Sequence, residues 1–227
     1  MKINRLLTNV NFAKGNNRRI QYIVIHYVGA LGDAQANCKY FEHYYRGASA
    51  HYFVGHNGDV WQCVEDKDKA WHVGAGRYKH KYCRNDNSIG VEMCCRRTAN
   101  NTWYFEEKTI SSTIELVKEL MAKYDIPIEN VIRHYDVTGK VCPEPYVRDT
   151  VAWNTFKANL MTDAPSSGYL VKIATDVLNV RAGAGVGYRI TTTVKRNEVY
   201  TIINESNGWG KLKSGAGWIK LSYTQKV

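Results

Sequence analysis

The segment Val131–Pro145 sets the strongest limit on what this chain can fold into, because it puts a histidine and a cysteine close together just after an apolar strand. His134 and Cys142 are eight residues apart across a turn that contains a glycine. Imidazole and thiolate are both good ligands for Zn²⁺, so this spacing outlines part of a metal site. A catalytic zinc needs a third protein ligand and an open position for water.

A histidine at the end of an apolar run is the candidate for that third ligand. Residues 22–26 read YIVIH, a continuous apolar run that is typical of a strand buried on both faces. Taken alone, His26 is best interpreted as a hydrogen-bonded core histidine. Opposite a loop that carries His134 and Cys142, it is the expected third metal ligand.

Length and charge limit the organisation of the protein and its partners. The 227 residues suffice for one sizeable α/β core and a small appended module. The formal net charge of +10 favours an acidic partner, which leaves nucleic acid, an anionic membrane and an anionic cell-wall polymer open. The first twenty residues contain no continuous apolar run. We therefore expect synthesis in the cytoplasm, without a signal peptide or a membrane anchor.

Six cysteines are spread along the chain without the dense spacing of a secreted disulfide framework. We expect all six to be reduced. Five of them are interpreted as small buried hydrophobic side chains. Cys142 is the exception, because its neighbours resemble those of a metal ligand.

The residues before position 162 alternate between helical and strand patterns. A first helix is expected over Asp33–Arg46, with an apolar stripe that includes Tyr44 and Tyr45 and is assigned to the core. The Asn-Gly pair within residues 50–64 predicts a β-hairpin. A capping box starting at Ser112 predicts the start of a second long helix.

Three more residues are singled out by chemistry. Trp71 and His72 lie in a loop, where an aromatic ring and an imidazole can line a cleft, so they are interpreted as substrate contacts. Packing of Trp71 on the core is an equally good interpretation of that residue. Glu92 interrupts an apolar strand, and a carboxylate there requires either a partner or a function, unless it faces solvent from an edge strand.

The end of the chain differs in composition from the rest. Residues 162–168 are small and polar, as in a linker, and residues 169–227 alternate short β-rich runs with glycine- and asparagine-rich turns, which predicts a small barrel. Residues 168–227 contain nine lysines and arginines, three acidic residues, no histidine and no cysteine. We therefore expect a binding module there. Its candidate contacts with a ligand are Trp209, Trp218 and Tyr223, together with three nearby lysines.

These motifs together carry a resemblance to a known family. The motifs, in order, are the strand ending at His26, AHYFV, AWHVG, NSIGVE and VIRHYDVTGKVCP. This order is similar to that of the zinc-dependent N-acetylmuramoyl-L-alanine amidases of the type-2 amidase family, which includes the peptidoglycan recognition proteins. The tail, with LNVRAGAG and GAGWIKLSY, resembles a bacterial SH3 domain.

The resemblance implies a mixed central α/β sheet flanked by helices, followed by a small all-β SH3-like barrel. The expected domains are a zinc amidase catalytic domain (1–162), a linker (163–168) and a bacterial SH3 domain that binds cell walls (169–227). The combination resembles an endolysin or autolysin that cleaves the bond between N-acetylmuramic acid and L-alanine in Gram-positive peptidoglycan.

The resemblance also implies roles for individual residues. His26, His134 and Cys142 match the zinc ligands of the family, Glu92 matches its catalytic carboxylate and Lys140 its catalytic lysine. Some members place a catalytic tyrosine just before the His-aromatic pair, where this chain has an alanine at position 50. We therefore assign the activation of water to the carboxylate.

Two other functions remain open from the sequence, namely a cell-wall cysteine peptidase and a non-catalytic peptidoglycan receptor. A cysteine peptidase needs a nucleophilic cysteine at the start of a helix with a histidine following it, whereas Cys142 follows its histidine and precedes a proline. No nucleic-acid-binding motif is recognised, and no membrane insertion is expected. By analogy with endolysins, the protein is expected to reach the wall after holin-type release or lysis. The expected partners are peptidoglycan and anionic wall polymers.

Overall fold

A computed structural model of the protein describes residues 1–15, 19–162 and 168–227. The chain forms two compact units, Met1–Met161 and Thr162–Val227. The linker expected at 163–168 lies outside the described residues except for Gly168. Within the described ranges, the helices are too short or too polar to cross a bilayer.

The first unit contains ten strands and five helices in the part that the structure describes. The strands are β1 (Ile3–Arg5), β2 (Phe12–Ala13), β3 (Tyr22–Tyr27), β4 (Tyr52–Val54), β5 (Val60–Gln62), β6 (Lys69–Ala70), β7 (Ser88–Met93), β8 (Arg96–Arg97), β9 (Trp103–Tyr104) and β10 (Val131–Arg133). The helices are α1 (Ala34–Glu42), α2 (Glu107–Tyr124), α3 (His134–Thr138), α4 (Glu144–Arg148) and α5 (Thr150–Met161).

A six-stranded mixed sheet lies at the centre of this unit, in the order β1-β5-β4-β7-β3-β10. Strands β4, β7, β3 and β10 are mutually parallel, whereas β5 pairs antiparallel with β4 through the expected hairpin. The segments that connect parallel strands pack on both faces of the sheet, so the side chains on both faces of these strands are buried. The mixed α/β architecture predicted from the sequence is confirmed.

Strand β3 shows how the two faces of the sheet are covered. Ile23 and Ile25 belong to the main hydrophobic cluster, which also contains apolar residues of α2 and α5. Tyr22 and Val24 point to the other face and pack in a separate cluster with Val73. The side chains of a strand alternate between faces, so an apolar run without polar interruptions is what this central position requires.

Helix α1 is shorter than predicted, and this changes the interpretation of its last residues. The helix ends at Glu42, because the segment before β2 binds the carbonyl groups of its last turn. The hydroxyl of Thr8 and the side-chain amide of Asn11 both donate to the carbonyl of Phe41. The prediction of a core stripe is therefore wrong for Tyr44 and Tyr45, which are 70% and 74% exposed.

Helix α2 starts earlier than predicted, at Glu107, so the expected cap at Ser112 is wrong. The hydroxyl of Thr109 donates to the carbonyl of Gly55 at the end of the hairpin, which fixes the first turn of the helix against the sheet. The hydroxyl of Thr113 donates to the carbonyl of Thr109 inside the helix. Both threonines are buried, so tertiary contacts decide where this helix begins.

The second unit is an antiparallel sheet of seven strands in its described part. These are β11 (Tyr169–Ile173), β12 (Val177–Arg181), β13 (Ile190–Lys195), β14 (Val199–Ser206), β15 (Trp209–Leu212), β16 (Trp218–Lys220) and β17 (Thr224–Lys226), in the order β13-β12-β16-β15-β14-β11-β17. The predicted all-β class is confirmed.

The interior of the second unit is apolar, with Ile202, Leu212 and Ile219 fully buried. Trp209 is 7% exposed, so it is not the exposed aromatic residue that was expected. It still lines a groove of about 410 Å³ together with Lys220 and Tyr223, which is 49% exposed. The assignment of Trp209 as a contact for a ligand therefore stays a prediction.

Candidate metal centre

Three neighbouring parallel strands place the first site residues at one edge of the central sheet. His26 and Glu92 are register partners on β3 and β7. His134 follows the last residue of β10, which pairs with Ile25 on β3. Because the carboxyl ends of parallel strands meet at the same edge of a sheet, the two histidines and the carboxylate converge there.

A tight turn brings Cys142 to the same edge. Helix α3 ends at Gly139, whose φ of +88° is in the left-handed region that favours glycine. The amide of Tyr135 donates to the carbonyl of Cys142 at 2.8 Å, and the amide of Cys142 donates to the carbonyl of Lys140 at 2.7 Å. These bonds hold the cysteine against the start of the helix that carries His134.

The donor atoms of His26, His134 and Cys142 lie within 4.8 Å of one another, and all three residues are buried. Nδ1 of His26 is 3.7 Å from Sγ of Cys142. Nδ1 of His134 is buried and has no hydrogen-bond partner among the described residues. Two imidazoles and one thiolate form a donor set suited to zinc, and the orphaned nitrogen fits a metal ligand.

The protein environment keeps both imidazoles of this set neutral. Burial, and then the nearby cation of Lys140, lower the pKa of His134 to about 4. Burial, and then the neighbouring His134, lower the pKa of His26 well below its ordinary value. Burial raises the pKa of the Cys142 thiol. Neutral imidazole is the form that binds a metal, whereas the thiol must release its proton when the metal binds.

Glu92 lies at the same edge with an unpaired oxygen. Its Oε1 is 3.9 Å from Nδ1 of His26, and its Oε2 is buried without a hydrogen-bond partner in the described chain. Burial raises the pKa of Glu92 to about 7, although the cation of Lys140 opposes the rise. A carboxylate in this environment can accept and release a proton near neutral pH.

Behind the cluster, a row of hydrogen bonds runs from His26 to the backbone. Nε2 of His26 is 3.1 Å from Nδ1 of His72, and Nε2 of His72 is 3.1 Å from Oγ of Ser88. The hydroxyl of Ser88 donates to the carbonyl of Arg84 at 2.6 Å. All three side chains in the row are buried.

The hydroxyl of Ser88, the last donor in this row, determines the direction of the other hydrogen bonds. Since Ser88 donates its proton to a carbonyl, its oxygen accepts from Nε2–H of His72. A neutral His72 then accepts at Nδ1 the proton carried by Nε2 of His26. The lone pair of His26 is left on Nδ1, which is the nitrogen that faces Cys142. The row thus selects the tautomer that a metal ligand needs.

A glycine in β7 provides the room for this row. A Cβ atom at Gly90 would lie 2.6 Å from Cγ of His72, closer than real Cβ contacts allow. The imidazole therefore packs directly against the backbone of the strand that carries Glu92. Neither Ser88 nor Gly90 was singled out in the sequence, although both lie in the NSIGVE motif.

The cluster opens into a cleft of about 440 Å³, which Trp71, His72, His134 and Lys140 help to line. Trp71 and His72 were predicted as substrate contacts, and both lie at this cleft. Both ring nitrogens of His72 are used by His26 and Ser88, so His72 offers the cleft only the surface of its ring. The structure therefore gathers all seven predicted site residues around one edge of the sheet.

Comparison with known protein families gives two matches along the chain. Residues 16–145 match a family described as N-acetylmuramoyl-L-alanine amidase. Residues 176–225 match a bacterial SH3 domain.

Curated relatives match the same part of the chain. A probable N-acetylmuramoyl-L-alanine amidase of Bacillus licheniformis is 31% identical over 150 residues, which are 61% of this chain and 40% of the relative. The amidase XlyA of Bacillus subtilis (strain 168) is 30% identical over 175 residues, which are 73% of this chain and 52% of XlyA. The chain thus spans about half or less of the length of these relatives.

Solved structures give the same result for the fold. The catalytic domain of XlyA superposes with a TM-score of 0.58 at 27% identity, covering 70% of this chain and 99% of that domain. The structure of PlyL superposes with a TM-score of 0.60 at 24% identity, covering 71% of this chain and 98% of PlyL.

Proposed function

Because the chain belongs to the N-acetylmuramoyl-L-alanine amidase family, we propose that it hydrolyses the amide bond between the lactyl group of N-acetylmuramic acid and L-alanine in peptidoglycan. The observation that carries this proposal is the convergence of His26, His134 and Cys142 beside Glu92, next to an open cleft that His134 lines. Amide hydrolysis requires a group that polarises the carbonyl and a base that activates water. The cluster provides three ligands for a metal that would polarise the carbonyl, and Glu92 is the candidate base.

We propose zinc as the metal, held by His26, His134 and Cys142. The chemistry that zinc supplies when bound to such a set is Lewis-acid polarisation of the scissile carbonyl and of the attacking water. Hard cations such as Mg²⁺ prefer oxygen ligands, so two imidazoles and a thiolate select against them.

We assign the transfer of the proton to Glu92 and the stabilisation of the negative charge in the transition state to Lys140. Glu92 accepts a proton from the attacking water through its carboxylate and passes it to the leaving amine of L-alanine. Burial supports this role, because it holds the pKa of the Glu92 carboxyl at about 7. The ammonium group of Lys140, which lines the cleft, stabilises the negative charge that develops on the carbonyl oxygen.

The two alternative functions are less well supported. A cysteine peptidase needs an accessible thiolate, but Cys142 is 2% exposed and burial raises the pKa of its thiol. A receptor that had lost catalysis would not need Glu92 beside the candidate metal ligands or Lys140 at the cleft, yet both are present.

For the second unit we propose a separate task, which is attachment to the cell wall of Gram-positive bacteria through its bacterial SH3 domain at residues 169–227. Its net charge of +6 between residues 168 and 227 supports attraction to anionic wall polymers. Such a tether raises the effective concentration of the first unit at an insoluble substrate. The protein would act there as an endolysin or autolysin after release from the cell.

The experiment that tests the catalytic proposal is mass spectrometry of peptidoglycan digested by the purified protein. We expect new N-terminal alanine and intact glycan strands. New reducing sugar ends, or cleavage between amino acids of the stem peptide, would contradict the proposal.

Removal of residues 168–227 tests the second task. The truncated protein should lyse whole cells poorly and still hydrolyse a small soluble muropeptide at the rate of the full chain. An equal loss on both substrates would show that the second unit serves catalysis instead of attachment.

A further inference from the structure

An aromatic corner, formed by Tyr45 and Trp71, borders the cleft. The ring of Tyr45 meets the ring of Trp71 edge-on, with their centroids 5.9 Å apart and their planes at 66°. Trp71 itself lines the cleft, as does Gly47. A Cβ atom at Gly47 would be 3.7 Å from the hydroxyl of Tyr45, so the tyrosine ring lies over this part of the wall.

Tyr45 is 74% exposed, although most of its surface is an apolar ring. Exposed aromatic groups that are held in place beside a cleft indicate a binding surface. The neighbouring tyrosines differ in this respect, because the guanidinium of Arg46 lies 4.0 Å from the ring centroid of Tyr40 and 5.6 Å from that of Tyr44. The ring of Tyr45 is turned towards Trp71 instead.

Buried hydrogen bonds hold the corner in this position. The side chain of Asn11, which is fully buried, donates to the carbonyl of Tyr44 and accepts from the amide of Arg46, both at 2.7 Å. These two bonds clamp the backbone on either side of Tyr45. The amide of Trp71 donates to Oγ of Ser49 at 2.9 Å, which fixes the second ring. The corner is therefore formed before any ligand arrives, which reduces the entropy lost on binding.

We infer that Tyr45 and Trp71 form a subsite for the glycan strand, next to the muramic acid whose amide bond is cleaved. A pyranose ring presents a flat face of C–H groups that packs against an aromatic ring, and the hydroxyl of Tyr45 can bond to sugar oxygens at its rim. The stem peptide carries carboxylates, for which the ammonium group of Lys140 in the same cleft is a better partner than an aromatic ring.

This inference rests on the proposed function for the identity of the substrate, but its main test does not require catalysis. Binding of a peptide-free tetrasaccharide of alternating N-acetylglucosamine and N-acetylmuramic acid is measured by calorimetry with the full chain. Tyr45→Ala should weaken this binding about 3- to 10-fold, the value of one lost aromatic contact. Tyr45→Phe should keep most of it, because the ring remains.

Tyr82→Ala is the matched control, since Tyr82 is 60% exposed on another loop of the same unit. It should bind the tetrasaccharide as the wild type does. Equal binding by Tyr45→Ala and the wild type, or a loss of the same size in Tyr82→Ala, would overturn the inference.

A kinetic comparison of two substrates distinguishes contact of the corner with the sugar from contact with the peptide. For a tetrasaccharide that carries stem peptides, Tyr45→Ala should lower kcat/KM by the same factor that it lowers binding. For a single muramoyl peptide, which does not reach the corner, kcat/KM should not change. An equal loss on both substrates would assign the corner to the peptide, which the two substrates share. If the wild type cleaves neither substrate, the proposed function fails, while the calorimetry still decides whether the corner binds glycan.

Discussion

The two units bury different kinds of side chain, although both are built on β-sheets. In the first unit five of the seven histidines are buried, three of them within the cluster and the hydrogen-bonded row behind it. Among residues 168–227 the buried side chains that the structure describes are apolar. A buried polar group is costly unless it is paired, so the first unit pairs Asn11 and Thr109 in structural hydrogen bonds and places three of its buried histidines at the candidate metal centre and the row behind it. The second unit shows no such buried polar cluster in its described part, so the attachment proposed for it must depend on its surface.

The largest effect is expected from removal of the sulfur ligand. Cys142→Ser should abolish stoichiometric zinc binding and reduce amide hydrolysis to background, because the thiolate is the softest donor of the set. Zinc content by elemental analysis and turnover of a soluble muropeptide are the measurements. Cys63→Ser is the control, since that buried thiol packs with Cys38 in a separate hydrophobic cluster. Full activity without any transition metal would disprove the assignment.

The next largest effect is expected from variants that lose turnover while they keep the metal. Glu92→Gln should lower kcat about 10²- to 10⁴-fold with an unchanged zinc content, because the amide keeps the shape but cannot accept a proton. Lys140→Ala should lower kcat in the same way by about 10²- to 10³-fold. The exposed Glu129 provides the control as Glu129→Gln. Near-normal turnover in Glu92→Gln would require another base.

A smaller effect, on zinc affinity, is expected from substitutions in the hydrogen-bonded row behind the cluster. His72→Ala should weaken zinc affinity about 10- to 100-fold, measured by competition with a chelator, because His26 then loses the acceptor that fixes its tautomer. Ser88→Ala should act in the same direction more weakly. His56→Ala is the control, since His56 is buried and its ring nitrogens have no partner in the described part of the chain. Unchanged affinity in His72→Ala would mean that the row has no influence on the metal.

In the second unit the expected effect is on stability and not on chemistry. Leu212→Ala removes a fully buried side chain and should reduce the free energy of unfolding of that unit by about 2–5 kcal/mol, measured by denaturant titration. Hydrolysis of a soluble muropeptide should not change. A parallel loss of that hydrolysis would break the distinction between the two units.

The smallest effect concerns acid stability of the first unit. Burial tends to raise the pKa of Asp66, but hydrogen bonds from Lys123, Tyr124 and Tyr52 outweigh it and hold that pKa below its ordinary value of 3.8. The stabilisation is therefore present above pH 3.8 and is lost as the pH falls through the lower, folded-state pKa. Thermal unfolding of Asp66→Asn between pH 2 and 7 should depend less on pH than that of the wild type. Identical profiles would contradict this role for Asp66.

The sequence predicted those parts of the fold that local patterns determine. The strand at residues 22–26 and the hairpin at 50–64 follow from apolar periodicity and turn residues, and the structure has both. The ends of α1 and α2 could not be predicted this way, because distant side chains determine them. Asn11 and Thr8 end the first helix, and the hairpin fixes the start of the second.

The candidate site was predictable to a similar extent. His26, His134 and Cys142 stand at strand ends and in a turn, where residue type and spacing are informative. The row through His72 to Ser88 was not predictable, because it depends on which ring nitrogen faces which neighbour. The corner at Tyr45 was missed for a different reason, since the residue fits a helical stripe until the early end of α1 is known.

The distance along the chain between the three proposed ligands has a consequence for the order of folding. Cys142 lies 116 residues after His26, and their donor atoms meet only when β10 has paired with β3. Contacts between residues so far apart in the chain form slowly, so a metal ion would be captured late, by a chain in which these strands have already paired. Zinc bound there would join the two ends of the loop and stabilise the native state by mass action. The lifetime of the folded first unit would then depend on the concentration of free zinc around it.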